Sequence, residues 1–234
     1  MYKGKKVLAI IPARGRNDGI KHMNMRELGG KPLIYYTIKA AQQCDFIDKL
    51  VVSTEDAEIA EYAKSLGVEV PFLRSSELAG ETVVMQDIID EILSFYKKRG
   101  EQYDYLLNFY PNAPFKSKEL ILKFVDKIAD YDCVIPLFAH KNYFWEEKGN
   151  QVHLTIDKQR TTRKTAIKKY EELGGIYAFN LASERWRGGP DAKIGFCELD
   201  FHDSRMVNSV YDLIMLDRLV TLPKTLVNDL LDFE

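Results

Sequence analysis

Two kinds of apolar pattern alternate along this chain. Residues 7–11 form an unbroken apolar run, which is typical of a buried strand, and Pro12 ends it. Residues 83–99 instead carry apolar side chains at helical spacing and stop at Gly100. Because the two patterns recur in turn, they predict an α/β protein with a mostly parallel sheet.

The individual elements follow from these patterns and from their boundary residues. Ser117 is well placed to cap a helix, and Gly67 is well placed to end one. Residues 139–170 break the alternation, since only one short stretch among them alternates like a strand. The predicted strands are 7–11, 49–53, 68–73, 105–110, 133–138, 151–156, 174–179 and 194–199, and the predicted helices are 32–44, 56–66, 83–99, 117–129, 211–219 and a short one within 222–234.

Composition narrows the possible functions. Of the 234 residues, 46% are hydrophobic and 29% are charged, and the net charge of −2 argues against a nucleic-acid partner. No apolar run approaches the ~20 residues that span a bilayer, and the first run is too short for a signal peptide. Cys44, Cys133 and Cys197 form no C-x-x-C pair, so neither a disulfide framework nor a cysteine zinc site is indicated, and the cytoplasm is the expected location.

The segment after the first strand has the composition of a phosphate-binding loop. It reads Ala13-Arg14-Gly15-Arg16 and follows a strand, which is where nucleotide phosphates bind in α/β proteins. Gly15 lets the backbone approach a ligand closely, while N–H groups and arginine side chains meet negative charge. The alternative interpretation is that Arg14 is a solvated loop residue.

Five blocks of residues between Val7 and Asp212 resemble the acylneuraminate cytidylyltransferases, the family of CMP-sialic acid synthetases and their relatives. The blocks occur in the family's order and extend over nearly the whole chain. The residues that carry the resemblance are Pro12-Ala13-Arg14, Gly19, Asn24 and Gly30-Lys31-Pro32-Leu33, then Arg74, Glu77-Leu78-Ala79 and Thr82, then Pro111 and Pro114, then Gly174-Gly175-Ile176-Tyr177, and finally Asp212.

The resemblance implies a fold and a reaction. The fold is a nucleotide-binding three-layer α/β/α sandwich of the nucleotide-diphospho-sugar transferase type, formed by a single domain over 1–234. Residues 139–170 would then be an excursion that contacts a second copy in a homodimer. The reaction would transfer CMP from CTP to a sialic-acid-like nine-carbon sugar acid and release pyrophosphate, as a step in sugar nucleotide and surface polysaccharide biosynthesis.

The resemblance also implies roles for individual residues. Arg14 matches the phosphate-contacting arginine, and Lys21 is a candidate to replace a catalytic cation that the family carries nearby. The expected nucleotide-binding residues are Ala13, Arg14, Gly15, Asn24, Arg74 and Thr82, and the expected sugar-binding residues are Tyr110, Asn112, Arg163 and Tyr177. For Asn24 and Thr82 a helix-capping role is the alternative, and for Arg163 a solvated charged face.

The family's metal site is poorly represented in this sequence. Its two leading aspartates correspond to Met206 and Asn208, so that only Asp212 remains. Because Mg²⁺ prefers hard, anionic oxygen ligands, Asn208 and Asp212 are weak candidates, and Mg²⁺ is expected from the resemblance alone.

Two loop lysines of the family are also replaced, by Asp18 and Met23. Each charge-assisted contact to a phosphate is worth roughly 1.5–3 kcal/mol, so these changes bear directly on CTP turnover. Three hypotheses therefore stand: a cytidylyltransferase, a binding protein of the same fold without turnover, and a nucleotidyltransferase with altered nucleotide or sugar choice.

Overall fold

A computed structural model describes residues 1–16, 19–80, 83–155 and 167–222. The elements in chain order are β1 Val7–Pro12, β2 Glu27–Leu28, β3 Lys31–Pro32, α1 Leu33–Gln42, β4 Lys49–Ser53, α2 Ala57–Ser65, α3 Met85–Lys98, β5 Tyr105–Phe109, α4 Lys118–Lys127, β6 Cys133–His140, β7 Trp145–Lys148, β8 Gln151–Leu154, β9 Lys169–Glu172, β10 Ile176–Asn180, β11 Ile194–Leu199 and α5 Val210–Thr221.

The central sheet has the strand order β11-β6-β10-β5-β1-β4, and β9 pairs with the end of β6. Strands β11, β6, β5, β1 and β4 run in the same direction, whereas β10 is antiparallel to both of its neighbours. The predicted mostly parallel sheet is therefore confirmed.

Successive residues of β1 pack on opposite faces of the sheet. Val7, Ala9 and Ile11 contact the core under α1, α2 and α4, whereas Leu8 and Ile10 face α3 on the other side. Every residue of β1 is buried, which explains why its sequence is a continuous apolar run rather than an alternating one. The result is the predicted three-layer α/β/α arrangement.

The predicted strand 68–73 is wrong. In this segment only Glu69 and Leu73 form isolated bridges, to Val51 and Thr54 respectively. Pro71 lies between them and has no N–H to donate, so a continuous ladder cannot form.

The irregular stretch 139–170 contains more regular structure than its sequence predicts. Strand β6 continues to His140, β7 and β8 form an exposed hairpin, and β9 returns beside β6. The strand predicted at 151–156 is confirmed over Gln151–Leu154, whereas β7 and β9 were missed because their residues are mostly exposed and polar. Residues 156–166 lie outside the described part of the chain.

Four further predictions, on the α4 cap, the cysteines, membrane-spanning helices and the tail helix, can be compared with the structure. The Ser117 side chain accepts a hydrogen bond from the backbone N–H of Leu120, which confirms the predicted cap of α4. Cys44, Cys133 and Cys197 are buried free thiols. None of the helices in the described ranges combines the length and the apolar character needed to cross a bilayer. The predicted tail helix falls mostly within 223–234, outside the described residues.

Candidate functional site

The carboxyl ends of β1, β4 and β5 meet at one edge of the sheet. In the parallel register Pro12 lies opposite Ser53, and Ile10 lies opposite Asn108. The backbone N–H of Ala13 donates to the Ser53 carbonyl at 2.9 Å, so the loops after β1 and β4 begin side by side. Ligands commonly bind at this edge in parallel α/β sheets.

A first cavity of about 380 Å³ opens at this edge. Five residues predicted from the sequence line it, namely Arg14, Asn24, Arg74, Tyr110 and Asn112. Two of them are arginines, and apolar side chains of α3 complete the wall. The cavity therefore combines positive charge with an apolar surface and several hydrogen-bonding groups, which suits a ligand with an anionic part and a flat, neutral part.

A second cavity of about 680 Å³ lies next to the first and shares Arg14 with it. Gly15 and Arg16 also line this second cavity, together with the carboxylates of Glu55 and Asp56. Positive and negative groups are thus mixed around the loop that was predicted to bind phosphate.

Arg74 is a buried cation with a close counter-ion. Its side chain is only 2% exposed, and its guanidinium lies 2.6 Å from Glu55 Oε2. The other oxygen of Glu55 accepts the backbone N–H of Gly15 at 2.7 Å. Among the described residues, Arg74 Nε is buried and has no hydrogen-bond partner, so one donor of this cation is unsatisfied.

Asn24 supports the loop that follows β1. It is buried in a short 3₁₀ turn, and its Nδ2 donates to the Arg14 carbonyl at 2.8 Å. Its Oδ1 is buried and has no partner in the described part of the chain. Asn24 therefore holds the loop with its amide nitrogen, while its amide oxygen is buried and unsatisfied.

Tyr110 and Tyr177 form an edge-to-face pair with ring centroids 5.7 Å apart. Burial raises the pKa of the Tyr110 hydroxyl. The Tyr177 hydroxyl donates to Glu172 Oε1 at 3.0 Å and lies 3.2 Å from the Leu173 carbonyl, and burial also raises its pKa. Tyr110 lines the first cavity. Tyr177 packs against the Tyr110 ring and is not among the residues that line this cavity.

Lys116 is a site residue whose role the sequence analysis missed. Its ammonium group is buried and donates to Thr37 Oγ1 at 3.1 Å, to the Tyr110 carbonyl at 2.9 Å and to the Ala113 carbonyl. It therefore fixes the loop that carries Tyr110 and Asn112, and burial lowers its pKa to about 7. The sequence signal that could have indicated a buried role was a single lysine directly after the apolar residues Pro114 and Phe115.

A third cavity of about 250 Å³ lies beside the first. His140, Glu171, Arg205 and Asn208 are among the residues that line it. Asn112, which lines the first cavity, donates a side-chain hydrogen bond to Asn208 Oδ1 at 3.0 Å. These two asparagines form the boundary between the two cavities.

The residues at the expected metal site do not fit Mg²⁺. Asp212 Oδ2 accepts the backbone N–H groups of Asn208 at 3.0 Å and Ser209 at 2.8 Å, and the Ser209 hydroxyl at 2.8 Å. Although partial burial acts in the opposite direction, these hydrogen bonds hold the pKa of Asp212 below its usual value. Asn208 Oδ1 already accepts from Asn112, and Met206 offers no oxygen and packs against Gly174. The set thus contains one carboxylate, and one of its two oxygens is engaged in three hydrogen bonds, so the set lacks the several anionic ligands that favour Mg²⁺.

Asp200, His202 and Asp203 form a separate group whose ligand atoms lie within 4.8 Å of one another. The Asp200 carboxylate also accepts the backbone N–H of Asp203 at 2.7 Å, which stabilises the turn after β11. Burial raises the pKa of Asp203. None of the three lines the cavities described above.

The remaining predicted site residues are more distant or undescribed. Lys21 is exposed and lines a fourth cavity of about 330 Å³ with His22, Met25 and Glu58. Ala13 is buried at the start of the loop, where its N–H bonds to the β4 end. Thr82 and Arg163 lie outside the described residues.

The family model for cytidylyltransferases matches residues 8–173 of the chain. This protein is a member of the cytidylyltransferase family. The matched range includes the loop after β1, Arg74 and the Tyr110 loop, so it contains most of the first cavity. The family predicted from the five sequence blocks is thereby confirmed.

Two bacterial cytidylyltransferases are among the proteins with similar sequences. Pseudaminic acid cytidylyltransferase of Campylobacter jejuni subsp. jejuni serotype O:2 is 28% identical over 180 residues, covering 74% of this chain and 77% of the relative. N-acylneuraminate cytidylyltransferase of Escherichia coli O18:K1:H7 is 32% identical over 188 residues, covering 75% of this chain and 42% of the relative.

Solved structures share the fold of this cytidylyltransferase family member. CMP:2-keto-3-deoxy-manno-octonic acid synthetase in complex with CTP superposes with a TM-score of 0.66 at 13% identity, over 92% of this chain and 98% of the other. The 4-diphosphocytidyl-2C-methyl-D-erythritol synthase of Anaerococcus prevotii gives a TM-score of 0.68 at 17% identity, over 94% and 100%. At these identities the likeness establishes the fold alone.

Proposed function

We propose that this protein transfers CMP from CTP to a sialic-acid-like nine-carbon sugar acid. The anomeric hydroxyl oxygen of the sugar forms a bond to the α-phosphorus while the bond between that phosphorus and the oxygen bridging to the β-phosphate breaks. Pyrophosphate leaves, and the hydroxyl proton is released. The named activities of the relatives in Campylobacter jejuni and Escherichia coli support this choice of reaction class.

The observation that carries the proposal is the convergence of Arg14, Asn24 and Arg74 on one cavity. Arg14 and Asn24 lie in the connection between β1 and β2, whereas Arg74 lies between α2 and α3, and each was assigned to nucleotide binding by its place in a family motif. Arg14 and Arg16 of the loop after β1 would receive the triphosphate, since the N–H groups of Ala13 and Gly15 already bond to Ser53 and Glu55. Asn24 and Arg74 would contact the nucleoside from the wall of the same cavity.

The acceptor sugar would enter from the side of the third cavity. Asn112 and Asn208 join that cavity to the first, and Arg205 on its wall provides positive charge near an anionic sugar. Tyr110 would contact the sugar directly, and Tyr177 would support it through the ring pair. Arg163 and Thr82 remain predicted ligand-binding residues on the sequence argument.

Divalent metal use is expected of the family in general, and the proposal leaves this chain's metal ligands unassigned. When bound, Mg²⁺ would neutralise the triphosphate and promote departure of pyrophosphate. Asp212 is the one carboxylate of the expected metal set, and the arginines that line the first two cavities would carry the larger share of charge neutralisation. Lys21 is retained as a candidate catalytic cation because of its place in the loop.

A homodimer in the cytoplasm completes the proposal. Trp145 and Val152 of the β7–β8 hairpin are 50% and 63% exposed, which is consistent with the dimer contact expected of residues 139–170. Three buried free thiols fit a reducing compartment. Light scattering of the wild type and of Val152→Glu tests the dimer, since a monomeric wild type would contradict it.

The second candidate function is binding without turnover. Met23 lines the first cavity where the family carries a lysine, and this favours weak engagement of a triphosphate. Two measurements together distinguish the two functions. Calorimetric titration with CTP and the other nucleoside triphosphates, with and without Mg²⁺, measures binding. An assay of pyrophosphate release in the presence of nine-carbon sugar acids measures turnover. CTP-selective binding with release supports the enzyme, and binding without release for every acid supports the alternative.

A further inference from the structure

We infer that Glu55 is a positioning residue that holds the loop after β1 and the Arg74 guanidinium in the arrangement that receives the nucleotide. This inference rests on the proposed CTP site and assigns a role to a carboxylate that the sequence analysis did not single out. Glu55 would act through other groups and would not touch the reacting atoms.

The first contact fixes a single peptide group. Glu55 Oε1 accepts the N–H of Gly15 at 2.7 Å, and Asn24 Nδ2 donates to the carbonyl of Arg14 at 2.8 Å. These two polar groups belong to the same planar peptide unit, so that unit is held on both sides. The direction in which the Arg14 side chain leaves the loop is thereby constrained.

The second contact fixes Arg74. Its guanidinium lies 2.6 Å from Glu55 Oε2, with side chains only 2% and 18% exposed for Arg74 and Glu55 respectively. A charge-assisted hydrogen bond of this kind is stronger than a neutral one, and a buried cation is costly without its counter-ion. One carboxylate therefore joins the two arginine-bearing segments of the first cavity.

The sheet register brings these segments together. Pro12 and Ser53 are paired in adjacent parallel strands, so Gly15 and Glu55 follow shortly after neighbouring strand ends. The backbone N–H of Arg74 donates to the Thr54 carbonyl at 2.9 Å, which places Arg74 on the other side of Glu55. The two contacts of Glu55 thus result from the backbone pairing, with no requirement for a ligand.

The charges around Glu55 decide whether its removal weakens or strengthens CTP binding. A carboxylate near a triphosphate is repulsive, yet Glu55 neutralises a cation that is almost wholly buried, and Arg14 and Arg16 line the second cavity beside it. Without the Glu55 charge, Arg74 and the Gly15 peptide lose their common partner and the loop is no longer fixed. We expect this loss to outweigh the relief of repulsion.

The test compares Glu55→Gln with Glu61→Gln. Glu61 forms an exposed ion pair with Lys64 at 2.9 Å, so the control also loses a carboxylate from an ion pair in the same region of the chain. Glu55→Gln is expected to raise the Kd and the KM for CTP about tenfold, since a charged hydrogen bond is lost, while Glu61→Gln leaves both within about twofold. Thermal unfolding of each variant shows whether it is folded at the assay temperature.

Hydrogen exchange at the Gly15 amide provides a readout that needs no nucleotide. Faster exchange at Gly15 in Glu55→Gln, together with the rise in KM, supports the inference. Unchanged exchange, or CTP binding that is unchanged or tighter in a folded Glu55→Gln, overturns it. If the wild type itself binds no CTP, the proposed function fails, and slow Gly15 exchange that Glu55→Gln abolishes still supports the holding contact.

Discussion

Asn112 donates its side-chain N–H to Asn208 Oδ1 at 3.0 Å, although 96 residues separate them in the chain. The contact lies between the first and third cavities, and it occupies the only side-chain oxygen that Asn208 could offer a metal. Asn208, which the sequence analysis predicted at the position of a family aspartate, therefore has a structural partner of its own.

Asn208→Asp is expected to increase the dependence of CTP binding on Mg²⁺. The change preserves size and an acceptor for Asn112 while adding a negative oxygen, which Mg²⁺ prefers. Calorimetric titration with and without Mg²⁺ should show about a tenfold gain in the metal effect relative to wild type. Asn150→Asp, in the exposed β7–β8 turn, adds the same charge at a residue that lines none of the four cavities, and an equal gain there would contradict the explanation.

Met23→Lys is expected to tighten CTP binding by about tenfold, because it adds a cation to the wall of the first cavity. Met25 is two residues away, similarly half-buried, and lines the fourth cavity instead. Met25→Lys therefore controls for the general effect of an added charge. If the two variants bind CTP equally well at low ionic strength, local contact with the phosphates is not the cause.

Gly15→Ala is expected to weaken CTP binding by about tenfold or more, because small displacements of a positioning loop are costly. A Cβ at Gly15 would collide with the Asp56 carboxylate, which caps α2 by accepting the N–H groups of Glu58 and Ile59. Gly80 lines the same two cavities, and its nearest neighbour would be Val83 Cγ2 at 3.6 Å. Gly80→Ala should therefore retain CTP affinity, and a comparable loss in both variants would contradict the steric argument.

Lys116 is expected to make stability depend on pH. Burial lowers its pKa from 10.5 to about 7, so between these values the unfolded chain binds a proton that the folded protein has released. Its contribution to the free energy of unfolding should therefore rise with pH, on the order of 1–2 kcal/mol between pH 7 and pH 9. Chemical unfolding of the wild type and Lys116→Met at both pH values measures this as a difference.

The control for this measurement is Lys118→Met. Lys118 is exposed, and its pKa is raised by the hydrogen bond to Asp45, so it keeps its proton in the folded protein at both pH values. The difference between wild type and Lys118→Met should not grow from pH 7 to pH 9. A wild-type advantage over Lys116→Met that stays constant from pH 7 to pH 9 would contradict the prediction, because it would mean that the oxygens around Lys116 retain the ammonium form.

The helices and the buried strands could be predicted from sequence because burial imposes their apolar patterns. The run that forms β1 is apolar throughout because both of its faces are covered. Ser117 indicates the start of α4 because serine is a common N-cap residue. The exposed strands β7 and β9 gave no such signal. Residues 68–73 looked like a strand by composition, but Pro71 prevents the ladder.

The residues of the site likewise fall into two groups, those that local sequence motifs indicate and those that only contacts between distant residues reveal. The sequence by itself determined the family, the α/β fold, and Arg14, Asn24 and Arg74 as ligand-binding candidates, because their motifs are contiguous along the chain. Only the tertiary structure decided that Glu55 joins Gly15 to Arg74 and that Asn112 meets Asn208. Such contacts depend on strand register and loop packing, which bring distant residues within hydrogen-bonding distance and leave no periodic trace in the sequence.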